Sequence, residues 1–319
     1  MVIREKTIRP SRSDALVEAA WLYYHEALNQ SEVAARMGVS RASVVNYLQE
    51  ARATGLIRVT LAEEPFTRHR LSLDLCARFG LAAAYVVPTG ADREETLARV
   101  AKAAAEWLKG LLVPGDRLGV AWGQTVFEVA EKMDPIAIAD LEVLQMVGSV
   151  PSPFGFTAEA CTTNLARKLS ATCVNLFAPA VLSSARNAEI LRNEPIIEGQ
   201  LTRLTTCNKA IFAAGSCLPE SHVVGSGVAT LDDLEAYRAA GAKGVLCGRF
   251  VDAQGAHLKG TLDDRMVGVT PDQLRGLEMR LLVSCGPDKV EPMRAVLTGG
   301  YATHVVTDRA TAKALVQAT

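Results

Sequence analysis

From residue 84 to residue 307 the chain repeats one pattern, and that pattern narrows the fold more than any other feature. Short apolar, β-branched runs recur at Ala84 to Val87, Leu118 to Ala121, Val143 to Val147, Ala210 to Ala213, Leu281 to Ser284 and His304 to Thr307. Between them lie helical stretches such as Glu94 to Leu111 and Ser183 to Arg192. A strand that is apolar throughout must be covered on both faces, which requires a parallel sheet with crossover helices on each side. The expectation is a large, doubly wound, mainly parallel α/β domain. With 319 residues, 49% of them hydrophobic, the chain exceeds what one core organises, so two domains are expected.

The first sixty residues follow a different rhythm. Leu16, Ala20, Tyr23, Tyr24 and Ala27 recur at helical spacing behind a possible cap at Ser13. A break at Leu28-Asn29 precedes a short helix from Gln30 to Met37, and Gly38 follows where a left-handed turn costs little. Ser40 is placed to cap a third helix, Arg41 to about Thr54, with Val44, Leu48 and Ala51 facing inward. Gly55 stops it, and Ile57 to Leu61 alternates as a short strand does. Glu63-Glu64-Pro65 then marks a boundary. The division expected is 1–62 for a DNA-binding domain, 63–70 for a linker and 71–319 for a second, ligand-sensing domain.

A helix, a glycine turn and a capped second helix with short polar side chains outside are the parts of a helix-turn-helix. The candidate DNA-contacting residues are Gln30, Ser40, Arg41, Ser43, Asn46, Tyr47 and Arg52. Arg can take guanine, Asn can take adenine, and Ser, Tyr and Arg can hold phosphates. Arg4, Lys6, Arg9 and Arg12 form a basic arm against the single Glu5. That arm either follows phosphate or is a solvated terminus. The net charge of −1 means that any DNA-binding surface is local.

Three loops in the remainder suit an anionic or hydroxyl-rich ligand. Trp122-Gly123-Gln124-Thr125 follows an apolar run and opens a helix, so amides and a hydroxyl converge at the carboxyl end of a strand. Gly123 either admits the ligand or serves only the turn. Cys285-Gly286-Pro287-Asp288-Lys289 follows another run, and Lys289 in a first helical turn runs against the usual preference for acids there. It is either an anion ligand or a solvated lysine. In the third loop, Gly248 to Gly255, Asp252 can accept sugar hydroxyls, with Arg249 nearby, or simply close a turn.

Two groups of motifs carry a family resemblance. LYYHEALNQSEVAARMGVSRASVVNYLQEARATGLIRVTL resembles the N-terminal winged helix-turn-helix of the SorC family of bacterial regulators. LGVAWGQTV, LQMVGS, LFAPA, AIFAAGS, GAKGVLCGRFVDAQG, DDRMVGVTPDQLR and LLVSCGPDKVEPMRAVLTGGYATHVVTD resemble, in that order, the sugar-binding domain of the same family. The resemblance implies a fold like that of sugar-phosphate isomerases and deaminases, and an effector that is a sugar, a polyol or a sugar phosphate. It places Gly123, Gln124, Thr125, Gly148, Ser216, Asp252, Gly286 and Lys289 in effector-binding segments. Gln124 and Asn46 each stand where the family commonly has Arg; the first removes a charge from the effector loop and the second alters the reading of the operator.

Two functions follow as expectations. The first is a cytoplasmic transcriptional regulator, a homodimer or homotetramer, whose hold on operator DNA is controlled by that effector. The alternative is an isomerase- or deaminase-like enzyme with an added DNA-binding domain. His25, His69, His222, His257 and His304 form no recognisable pair, and Asp263-Asp264 beside Arg265 reads as a solvated turn or ion pair, so no catalytic residue is assigned. Seven scattered cysteines suggest buried free thiols, with neither a disulfide framework nor a metal site. No cofactor is expected. The start lacks the apolar stretch of a signal peptide, and no uncharged run is long enough to span a bilayer.

Overall fold

A computed structural model describes residues 11–57, 59 and 62–317. The chain divides into two units, Met1–Ala62 and Glu63–Thr319.

In the first unit, helix α1 (Arg12–Ala20) is capped by Ser11, not by Ser13. Ser11 Oγ accepts the Asp14 N–H at 3.2 Å while Asp14 accepts the Ser11 N–H at 3.0 Å, a reciprocal pair that satisfies two otherwise orphaned donors. The chain continues through a wide turn of helix, Trp21–His25, before Ala27 takes φ 57° and breaks it. Helix α2 (Gln30–Met37) is capped by Asn29 with Glu32 and ends on Gly38 at φ 66°. Helix α3 (Arg41–Ala53) begins at Ser40, whose hydroxyl accepts the Ser43 N–H at 3.1 Å. Val44 and Leu48 interlock with Val33, Ala34, Ala19 and Leu22 as the small core of this unit. Of the strand expected from Ile57 to Leu61, Arg58, Thr60 and Leu61 lie outside the described residues, as do Arg4, Lys6 and Arg9 of the basic arm.

The second unit is built on strands β1 (Ala83–Val87), β2 (Arg117–Val120), β3 (Glu142–Gln145), β4 (Thr172–Val174), β5 (Lys209–Phe212), β6 (Ala242–Leu246), β7 (Arg249–Asp252), β8 (Met279–Val283) and β9 (His304–Asp308). Seven of them form one sheet in the order β1-β9-β8-β5-β2-β3-β4, with every pairing parallel. Side chains alternate between two cores. Ala84, Val86, Phe212, Leu282 and Val305 enter one, while Tyr85, Val87, Ile211, Leu281 and Val306 enter the other. Helix Arg93–Leu111 covers the second face through Val100, Ala104 and Leu108. Helices Arg70–Phe79 and Arg309–Gln317 cover the first through Leu75 and Leu315.

Two readings of the sequence are corrected here. The segment 63–70 is not a free linker: Glu64–Thr67 is a turn of helix, and the Phe66 ring stacks on Tyr85 with centroids 5.0 Å apart. The stretch read as a loop around Arg249 is the second arm of an antiparallel hairpin, β6–β7, turned by Cys247 and Gly248 at φ 50° and 82°. Paired positive φ values are what a tight two-residue hairpin turn demands.

The order of the sheet places the site. From β2 the chain steps to β3 and β4 on one side, then returns to β5 and steps through β8 to β9 on the other. The strand order therefore reverses between β2 and β5. In open parallel sheets the loops diverge there and leave a crevice at the carboxyl ends of the strands.

Candidate functional site

A cleft of about 230 Å³ lies at this reversal. Its walls come from the loops after β2 (Trp122 to Thr125), β5 (Ala213 to Ser216) and β8 (Cys285 to Lys289). The Ala214 N–H donates to Ser284 Oγ at 3.0 Å, which locks the second and third loops together. Gly215 and Val245 exchange backbone hydrogen bonds, both at 2.8 Å, and so bring the Cys247-Gly248 turn to the rim. The volume falls just below the range of drug-sized pockets, about 300–1,000 Å³, and suits a molecule the size of a monosaccharide.

Gly123 takes φ 139°, a conformation that residues with a Cβ rarely adopt, and starts helix Gln124–Lys132. No side chain caps that helix among the described residues, and Gln124 and Thr125 at its start line the cleft. Nearby, Lys289 Nζ lies 3.3 Å from Asp288 Oδ2, and an Arg93 guanidinium nitrogen lies 3.4 Å from the same oxygen. Lys289 is mostly buried, its side chain 20% exposed, whereas Arg93 is 69% exposed. Burial pushes the Cys285 thiol up to about 12, so it lines the cleft as an inert neutral group. Burial, with Lys289 and Arg93 beside it, pushes the His222 imidazole below its ordinary value against the opposing pull of Asp288.

Of the effector-binding candidates, Gly123, Gln124, Thr125, Ser216 and Lys289 line the cleft. Gly286 stands between two lining residues and supplies the turn, at φ 103°, its N–H donating to Thr311 Oγ at 2.9 Å. Two candidates are not brought in. Asp252 Oδ1 accepts the N–H groups of Gln254 and Ala256, at 2.9 and 2.8 Å, and so closes the turn after β7. Gly148 is a packing glycine: a Cβ there would lie 2.6 Å from backbone atoms of Pro179 and Ala180. Arg93, Glu220, Ser221, His222 and Asp288 also line the cleft. Asp288 belongs to the loop already marked by Lys289, but nothing in the local sequence marks Arg93, Glu220, Ser221 and His222, which join the site only through the packing of distant segments.

Asp263 corrects another reading. It is not solvated and does not pair with Arg265; it is buried beside a second cavity, accepting from Arg249 at 2.8 Å, Tyr237 Oη at 2.8 Å and the Gly260 N–H at 2.9 Å. His257 Nε2 is also 2.7 Å away. Burial pushes this carboxyl up, but the hydrogen bonds from His257, Arg249 and Tyr237 outweigh it and hold it well below the usual carboxylate range. Cys173 is exposed, contrary to the expectation of buried thiols throughout, because it lies on the edge strand β4.

On the first unit, α3 presents Arg41 and Asn46 to solvent, with Ser43 and Tyr47 half-buried between them. Arg41 Nε donates to Gln30 Oε1 at 3.2 Å. Ser40 is occupied as the cap. Arg52 is exposed, and it donates to Tyr24 Oη at 2.8 Å, which anchors its guanidinium beside α1 and the turn that follows it. Arg12 is held by Glu50 at 2.6 Å, which neutralises the described end of the basic arm.

Comparison with known proteins agrees with this geometry. Residues 63–317 match the Sugar-bind family, described as "Putative sugar-binding domain". The chain is 38% identical to an uncharacterized transcriptional regulator, YjhU, of Escherichia coli K12, across 95% of this chain and 94% of that one. It is 30% identical to the deoxyribonucleoside regulator of Bacillus subtilis 168, across 94% and 96% of the two chains. The full-length sorbitol operon regulator SorC of Klebsiella pneumoniae superposes with a TM-score of 0.78 over 97% of this chain and all (100%) of that one, at 21% identity. The chain belongs to the SorC family of transcriptional regulators, which join a DNA-binding unit to a sugar-binding domain. Among the described residues no helix is long and apolar enough to cross a membrane.

Proposed function

We propose that the cleft at the β2–β5 reversal binds the effector, a small sugar, polyol or sugar phosphate, and that its occupancy sets the affinity of α3 for operator DNA. The observation that carries this reading is the uncapped helix start at Gln124 and Thr125 together with the mostly buried Lys289, around a space of about 230 Å³. Amide dipoles and one cation favour an anionic or hydroxyl-rich group. The name of the Bacillus subtilis relative, a deoxyribonucleoside regulator, fits an effector of this chemistry. Arg93 and Lys289 are matched in number by Asp288 and Glu220 in the lining, so the charges of the cleft balance; a neutral polyol fits as well as a phosphate.

Arg41, Ser43, Asn46 and Tyr47 read or hold DNA from the outer face of α3. One such helix spans one half-site, so the protein acts as a homodimer or homotetramer. Its place of action is the cytoplasm. Regulation rather than catalysis is the reading supported. His222, the one histidine in the cleft wall, has no carboxylate hydrogen-bonded to it among the described residues, and Asp288 is tied to two cations. Glu220, the remaining carboxylate of the wall, is exposed and makes no hydrogen bond to His222 among the described residues, so the wall holds no assembled acid–base pair.

The test is a thermal-shift screen of the full chain against sugars, polyols and their phosphates, followed by DNA binding with and without each compound that stabilises. A compound that raises the melting temperature and changes operator affinity supports the reading. Sustained conversion of that compound by the protein refutes it.

A further inference from the structure

Ser221 is buried, 7% exposed, in the wall of the cleft. Its hydroxyl oxygen has no hydrogen-bond partner among the described residues. This is unusual for its position. Ser221 stands at the N-cap of the short helix His222–Gly225, where a serine hydroxyl ordinarily accepts a helix N–H, yet it makes no such bond. A buried hydroxyl left without a partner carries a desolvation cost that is relieved only when something arrives to bond it.

His222, the next residue, also lines the cleft, and its ring makes no hydrogen bond among the described residues. Aromatic contacts fix its orientation: Phe154 lies 4.5 Å away and Phe156 5.1 Å away between ring centroids. Gly225 makes room for this stack, since a Cβ there would stand 2.5 Å from Phe154 Cζ. Burial and the neighbouring Lys289 and Arg93, opposed by Asp288, favour the neutral imidazole, which offers one donor and one acceptor. Glu220 is the remaining charged residue in the wall.

We propose that Ser221 and His222 form a hydroxyl-reading pair, hydrogen-bonding adjacent hydroxyls of the effector while the Gln124 helix start and Lys289 receive any anionic group. The proposal rests on the effector reading of the cleft. Neither residue adds net charge, so the pair discriminates ligands by where they carry hydroxyls and not by how many charges they bear.

The test uses the full chain, with D-glucitol, D-ribose 5-phosphate, glycerol 3-phosphate and inorganic phosphate as probes, followed by thermal shift and titration calorimetry. Ser221→Ala without ligand melts at or above the wild-type temperature, because the substitution deletes an unbonded group. Its affinity for the tightest hydroxylated probe falls about tenfold, while that for inorganic phosphate is unchanged. His222→Phe shows the same selective loss, and His222→Gln recovers part of it. The proposal is overturned by a Ser221→Ala protein with undiminished affinity for the hydroxylated probes, by equal losses for those probes and inorganic phosphate, or by a lower melting temperature without ligand. A wild type silent toward these probes and toward the wider panel of sugars, polyols and their phosphates removes the effector reading itself, which separates the two failures.

Discussion

Arg41 and Gln30 are joined side chain to side chain, Arg41 Nε donating to Gln30 Oε1 at 3.2 Å, so the starts of α2 and α3 are linked at the end that presents the base-reading candidates. An exposed arginine loses rotamer freedom when it binds, and a preformed bond reduces that loss. Gln30→Ala is expected to leave the melting temperature unchanged and weaken operator binding by about 0.5–1 kcal/mol. Fluorescence anisotropy on operator DNA measures it, and unchanged affinity would show that the bond does not orient Arg41.

Asn46 is exposed on the outer face of α3 and makes no hydrogen bond among the described residues, so its amide is available to a base edge. Asn46→Ala is expected to lose about 1–3 kcal/mol of discrimination at one base pair. Selection of preferred sites from a randomised operator reads this directly. If the preferred sequence is the same for both proteins, Asn46 does not face the groove.

Lys289 lies in the cleft with Asp288 as its ion-pair partner. Lys289→Met keeps most of the aliphatic stem, so the fold should tolerate it. For a phosphorylated effector the affinity should fall by about 2 kcal/mol, the worth of a charge-assisted hydrogen bond. Effector-free DNA binding should persist, because only one of two coupled sites is damaged. An unchanged effector response would favour a neutral polyol.

Asp263 and Arg249 are a buried ion pair, with side chains 10% and 6% exposed. Removing one charge strands the other, and Asp263→Asn is expected to cost about 3 kcal/mol or more. The folded-state carboxyl titrates below its unfolded value, so its contribution is complete above the unfolded value, about 3.9, and is lost as pH falls through and beneath it. Urea denaturation at neutral and acidic pH should show the wild type losing stability in that window and the variant losing less.

Gly148→Ala forces a methyl group to within 2.6 Å of the backbone of Pro179 and Ala180. Since backbone cannot swing aside as a side chain does, a loss of about 1–3 kcal/mol is expected. Calorimetric melting checks it, and a wild-type melting temperature would show that this junction yields.

How much could be read in advance depended on how local the cause was. Asn29, Gly38 and Ser40 act within one turn of their own positions, so α2 was legible to the residue and α3 to within one residue at its end. Six of the seven strands of the large sheet were legible because burial on both faces makes each one a largely apolar run. Strand β4 left no such run, since it keeps Thr172 and Cys173 exposed, unlike β1 at the opposite edge, which is covered by helices. The β6–β7 hairpin was obscured by Cys247, a residue that seldom takes positive φ, standing where a turn would ordinarily show Asn or Gly. Asp252 illustrates the limit in the other direction, because an acid that closes a turn and an acid that waits for a sugar look alike in sequence.

The two-unit plan, the helix-turn-helix and the parallel character of the sheet follow from local sequence, because caps, glycine turns and apolar periodicity act over a few residues. Local sequence also marked the loops after β2 and β8 as candidates for ligand contact, since each follows an apolar run and opens a helix. Only the tertiary structure decided that the chain reverses between β2 and β5, and hence that Gln124, Ser216 and Lys289 share one cleft with Arg93, Ser221 and His222. Only it decided that Arg249 serves Asp263 and not a ligand near Asp252. Strand order and ion-pair partners are set by which apolar faces pack together across long separations, and no single segment carries that information.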